Sequence, residues 1–195
     1  VLVGHFTDFD VTPSCGLASH RDFIRPVDQP KYFLSPERMD AGILWFTKGF
    51  VEYKLPNYLE PHQSLQQIDI SFEISSEFPF ANSHWPSDIT FSLNGIELGE
   101  WQSFNDERGR LTPDWWPETI NQYGLLKTLR ITPHGTYIDG DPISDVTTKA
   151  FMGSLDAWSL KFEVKKDTSH VGGLTLFGKS FGHFEQDIVV KTYYL

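Results

Sequence analysis

An all-β fold, an antiparallel β-sandwich of the jelly-roll type, is what this 195-residue sequence predicts, on three observations. Apolar and polar residues alternate over many short runs, the pattern of strands with one buried face. Turn signals such as Asn94-Gly95 and Asp139-Gly140 recur between those runs. Helical periodicity is nearly absent, so there is no material for a layer of helices against the sheet.

The elements follow in chain order. Residues 11–36 show no periodicity and predict an ordered but irregular loop wrapping the sandwich. Ser35-Pro36-Glu37-Arg38 reads as an N-cap with proline at the first helical position, hence a short helical turn. Trp45 to Leu55 is a strand that alternates cleanly from Val51 onward. Ile68, Ile70, Phe72 and Ile74 alternate with Gln67, Asp69, Ser71 and Glu73 to give another. Ile89, Phe91 and Leu93 lead into Asn94-Gly95, which predicts a type I′ hairpin returning through Ile96 and Leu98. Ile89 would then face Glu100, a mismatch that a bulge at Gly99-Glu100 removes by turning Trp101 inward. Thr112-Pro113-Asp114 repeats the capped helical signal, closed by Pro117. Strands follow over Leu125–Thr132, Leu160–Val164 and Leu174–Leu176. The last, Ile188 to Tyr194, is placed to pair with an early strand. No repeat, low-complexity segment or linker appears, so residues 1–195 are expected to form one domain.

Composition narrows the function classes. The 16 basic residues are scattered among 26 acidic ones, a formal charge of −10, so a phosphate backbone or an anionic membrane finds no cationic cluster. The single cysteine, Cys15, rules out an internal disulfide and permits a reducing compartment. No apolar run reaches the ~20 residues of a membrane span. The chain opens at Val1 without a methionine, as a fragment or a processed form would.

Chemistry concentrates between Trp85 and Tyr123, which holds four of the six tryptophans. Flat rings beside polar groups suit a partly apolar, hydroxylated ligand such as a sugar. Trp85, Trp101, Trp115 and Trp116 are the candidate stacking residues. Asp88, Arg110, Asn121, Gln122 and Tyr123 are the candidate polar contacts. The same rings would equally cap a sandwich edge. Cys15 with His5, Asp8, Asp10 and His20 matches no compact metal-ligand spacing, so no metal is expected. Asp139-Gly140-Asp141 lacks the spaced acidic series of a calcium loop, and Gly172-Gly173 and Phe177–Gly182 lack phosphate-loop spacing. No nucleophile elbow or HExxH occurs. Neither a catalytic residue nor a cofactor is therefore predicted, and the chain reads as a non-enzyme.

The segments PSCGLAS (Pro13 to Ser19), YFLSPER (Tyr32 to Arg38) and WFTKGFVEYKLPN (Trp45 to Asn57) carry a family resemblance. So do WPSDITFSLNG (Trp85 to Gly95), GRLTPDWWP (Gly109 to Pro117), QYGLLKTLRIT (Gln122 to Thr132), DGDPISDV (Asp139 to Val146) and VGGLTLFGKSFG (Val171 to Gly182). Together they resemble the C-terminal domain of ArsR-type bacterial transcriptional regulators, over roughly Pro13 to Val190. The resemblance implies a galactose-binding-like jelly roll, a cytoplasmic location and a regulatory, effector-sensing role. It also implies a winged helix-turn-helix upstream, through which alone DNA would be contacted. The expected partners are a sugar-like effector and a second copy in a homodimer. Two alternatives stay open: a ligand-free dimerisation or interaction module, and a free-standing carbohydrate-binding module. The resemblance assigns no ligand residues.

Overall fold

The computed structural model describes residues 1–77, 85–103, 111–117, 120, 124–153 and 156–195. Eleven strands form in order: β1 (Asp8–Ala18), β2 (Ile43–Pro56), β3 (Leu65–Ser75), β4 (Ser87–Leu93), β5 (Ile96–Ser103), β6 (Leu125–Thr132), β7 (Gly135–Ile138), β8 (Asp141–Ser144), β9 (Ala157–Val164), β10 (Leu174–Phe177) and β11 (Val189–Tyr194). All of their pairings are antiparallel. Short 3-10 turns span Pro30–Leu34, Pro36–Asp40 and Thr148–Phe151. The fold is all-β, as the alternation predicts.

β1 and β2 form a bent ribbon from which both layers of the sandwich depart. β9 pairs with Gly49–Pro56 of β2, and β4 and β5 continue that layer. β10 pairs with Ile43–Phe46 of the same strand, and β3, β6, β7 and β8 continue the other layer, with β11 along the first part of β3. The ribbon bends at Gly49, whose φ is +106° and where a Cβ would stand 1.7 Å from the Asp10 carbonyl oxygen. Only glycine permits that approach. β1 accommodates the bend by a register shift between Thr12 and Cys15. At the far side the two layers meet again, where the Ser144 hydroxyl donates to the Leu98 carbonyl at 2.6 Å.

The layers are joined by aromatic packing. Phe72 of β3 reaches across to Phe91 and Phe162, with ring centroids 5.4 Å and 4.9 Å away. Ring contacts of this kind add to the gain from burial alone. The alternation in β9 is realised fully: Trp158, Leu160, Phe162 and Val164 are buried.

Several expectations need correction. Residues 11–36 are not a loop throughout, because β1 runs to Ala18 and pairs along β2. Its polar composition and its register shift hide the strand from periodicity. The type I′ turn forms at Asn94-Gly95, with φ of 52° and 75°, but the bulge sits one residue early. Phe91 faces Gly99, so Leu98 is the extra residue, and Ile89 then faces Trp101. The Thr112-Pro113-Asp114 signal yields no helix among the described residues, only a turn in which Trp116 N–H donates to the Pro113 carbonyl. Pro36–Asp40 is a 3-10 turn in which Ser35 makes no side-chain cap; its hydroxyl bonds Glu37 instead.

Truncating Phe72 to alanine should cost about 3–5 kcal/mol, because its ring fills space between layers that cannot collapse independently. Urea unfolding would measure this; a loss under 1 kcal/mol would contradict the packing described.

Candidate functional site

The expected aromatic ligand surface is divided by the fold. Trp101, on β5, packs against the main core, with the Lys127 ammonium 4.9 Å from its ring centre. Trp115 and Trp116 belong to a separate cluster with Ile43, Trp45, Phe177, Phe181, Phe23 and Ile120. Trp85 is 38% exposed just before β4. Asp88 is occupied: Gln102, the Thr168 hydroxyl and the His170 backbone N–H all donate to it, at 2.8–3.0 Å. Burial works to raise its pKa, but these bonds and the His170 ring hold it below the usual value. Asp88 thus anchors the segment that leads into β10. Arg110, Asn121, Gln122 and Tyr123 lie outside the described residues.

The second aromatic cluster is assembled by distant parts of the chain. Trp116, only 3% exposed, packs edge-on against Trp45 and Phe181 and tilted on Phe23, with centroids 5.2–5.7 Å apart. Trp115 donates its indole N–H to the His20 carbonyl at 2.8 Å. The Leu111 N–H donates to the Gly182 carbonyl at 2.7 Å, which ties the LTPDWWP segment to the FGKSFG segment. A buried carboxylate, Glu73, holds the latter in place. It accepts from the backbone N–H groups of Gly124, His183 and Phe184 at 2.9–3.1 Å. Burial still leaves its pKa raised despite those bonds.

Beside this cluster opens a cleft of about 310 Å³, lined by Ser14, Phe23, Arg25, Pro26, Val27, Asp28, Trp45, Glu77 and Ile120. Its volume falls at the lower end of the roughly 300–1,000 Å³ typical of small-molecule sites. Most of the wall is apolar, and the loop from Phe23 to Asp28 forms one side. That loop is fixed at both ends: Ile24 N–H donates to the Leu17 carbonyl, and Asp28 accepts from Cys15 N–H. Arg25 is paired with Glu37.

Glu77 is the unusual group. It is 7% exposed, just beyond the end of β3. Burial first, and then the charge of Asp28, push its pKa from 4.5 to about 7, although the Ser14 hydroxyl donates to it. Gly173, at φ +75°, lets the strand leading into β10 pass against it, since a Cβ there would lie 2.6 Å from the Glu77 Cβ. The same burial, with Asp28 and Glu77 nearby, drives the Cys15 thiol up to about 12, so it stays protonated and unreactive at neutral pH. No three His, Cys, Asp or Glu side chains among the described residues converge on a metal position. No helix among them is long and apolar enough to cross a membrane.

Sequence reasoning singled out Trp115 and Trp116 of the aromatic cluster but missed Phe23, Asp28, Trp45 and Glu77 of the adjoining cleft. Phe23 and Asp28 fall in a stretch without periodicity, Trp45 reads as an ordinary strand residue, and Glu77 lies beyond the last alternating residue, Ile74. The carboxylate carries a pH signature. Because its folded pKa is raised, its contribution to stability is fully present below 4.5 and is lost as the pH rises through about 7. Glu77→Gln removes this loss, so the variant should gain about 2–3 kcal/mol on the parent between pH 5 and pH 8. Urea midpoints at the two pH values test it; parallel curves would show that Glu77 ionises freely.

Against known proteins, no family model matches this chain, and no curated protein matches it. Among solved structures it is similar to one described as carbohydrate-binding module CBM36 in complex with calcium and xylotriose. The two are 11% identical, the match covers 99% of this chain and 98% of that one, and the TM-score is 0.42. Neither the sugar nor the calcium of that structure is carried over to this chain.

Proposed function

We propose that this β-sandwich is a small-molecule-binding domain, acting by binding rather than catalysis, with the cleft between the 23–28 loop, Trp45 and Glu77 as its site. The observation that carries this reading is a carboxylate more than nine-tenths buried in the wall of a mostly apolar cleft. Ionising such a group costs free energy, and a cleft that only filled space would be more stable with an apolar residue there. A ligand that hydrogen-bonds or pairs with the carboxylate would offset the cost.

A sugar-like occupant is compatible with these walls. Its C–H faces would meet Phe23 and Trp45, and its hydroxyls would meet Glu77, Asp28 and Ser14. The wider role we propose is that of an effector-sensing, cytoplasmic part of a bacterial transcription regulator. Support comes from the sequence motifs: two of the segments that carry the resemblance, LTPDWWP and FGKSFG, meet in the aromatic cluster beside the cleft. In such a protein, ligand binding shifts a regulatory equilibrium only by its different affinity for the two states.

Trp45, Trp115 and Trp116 lie in or beside the site, so intrinsic fluorescence reports on its occupancy. Titration with a panel of sugars, polyols, organic amines and small acids should quench or shift the emission and raise Tm for at least one class. Phe23→Ala should weaken that binding by about tenfold. No response to any class would overturn the reading.

A further inference from the structure

We infer that the cleft selects an organic cation of about one ring in size, with Glu77 and Asp28 holding its charge and Phe23, Trp45, Val27 and Ile120 enclosing its apolar body. This rests on the cleft being a ligand site and deepens that reading by naming the charge of the occupant.

Charge complementarity is the argument. The cleft presents two carboxylates, Glu77 on the inner wall and Asp28 on the loop. The nearby cation, Arg25, is committed to Glu37, a carboxylate outside this cleft's lining. Asp28 accepts one bond from Cys15 N–H, and Glu77 one from the Ser14 hydroxyl. Neither carboxylate therefore has a cationic partner among the described residues. Cys15, the other titratable group beside them, stays neutral and adds no charge. Two anionic groups so close repel each other, and a cation between them relieves the repulsion. Aromatic walls add to the selection, because ring faces attract a weakly hydrated ammonium more strongly than a neutral molecule of equal size. Phe23 and Trp45, already in edge contact with centroids 6.2 Å apart, supply such walls.

Benzyltrimethylammonium is a suitable probe, since its charge is independent of pH and any pH dependence belongs to the protein. Benzyl alcohol and a neutral sugar serve as uncharged comparisons. Tryptophan fluorescence titrations should show the cation binding at least roughly tenfold more tightly than benzyl alcohol. Its affinity should rise about tenfold from pH 6 to pH 8, as Glu77 ionises. Glu77→Gln should abolish the pH dependence and most of the preference. Asp28→Asn keeps an oxygen for Cys15 N–H and tolerates φ of +61°, so it should fold and still lose several-fold in affinity. Equal binding of cation and alcohol, or unchanged cation affinity in Glu77→Gln, would overturn the inference. Binding of the alcohol or sugar without the cation would overturn it too, while leaving the ligand-binding reading in place.

Discussion

Both layers of this sandwich spring from one pair of strands, and that constraint governs the rest of the structure. β2 is long enough to serve β9 with its second half and β10 with its first, so the layers are not independent sheets pressed together. Phe72, Phe91 and Phe162 fill the space between them. Dense packing of this kind transmits small errors, since interiors have few voids into which a misplaced ring can move. The same ribbon places Cys15 beside the cleft, because the register shift that follows the bend lies between Thr12 and Cys15.

A second level of organisation lies in buried carboxylates, each used differently. Asp88 is hydrogen-bonded on both oxygens and fastens a loop. Glu73 gathers three backbone N–H groups and fixes the turn that delivers Phe181 to Trp116. Asp69 is closed off by a two-point pair with Arg130. Glu77 differs from all three, with a hydroxyl for a partner and another carboxylate nearby. Structural carboxylates in this molecule are well supplied with donors. The one that lines a cleft is not, and such contrasts tend to mark functional positions.

Strands are legible where apolar and polar residues alternate, even in β4, where every residue is buried. β9 alternates without error, and β3 and β4 begin and end close to the predicted bounds. β1 was not legible, since its pairing is interrupted and its residues include Thr12, Pro13, Ser14 and Gly16. The face of β3 carrying Asp69 and Glu73 reads as solvent-facing, yet both are buried. Period-2 alternation records polarity, and a polar residue covered by a returning loop gives the same pattern as one in water. The tryptophan-rich segment likewise reads as one aromatic surface, whereas its described rings fall into two clusters. Which ring joins which core depends on crossovers between layers, and those leave no local trace.

The sequence by itself determined the fold class, the Asn94-Gly95 hairpin and the set of aromatic residues available for a core, because these depend on local periodicity and turn chemistry. Tertiary structure alone decided that Trp101 and Trp116 lie in different clusters, that residues 11–18 complete a ribbon, and that Glu77 and Asp28 share a cleft with Phe23 and Trp45. The residues that line this cleft lie between Ser14 and Ile120 in the chain. Their proximity comes from long-range pairing at a bent strand, and that information exists only once the chain has closed on itself.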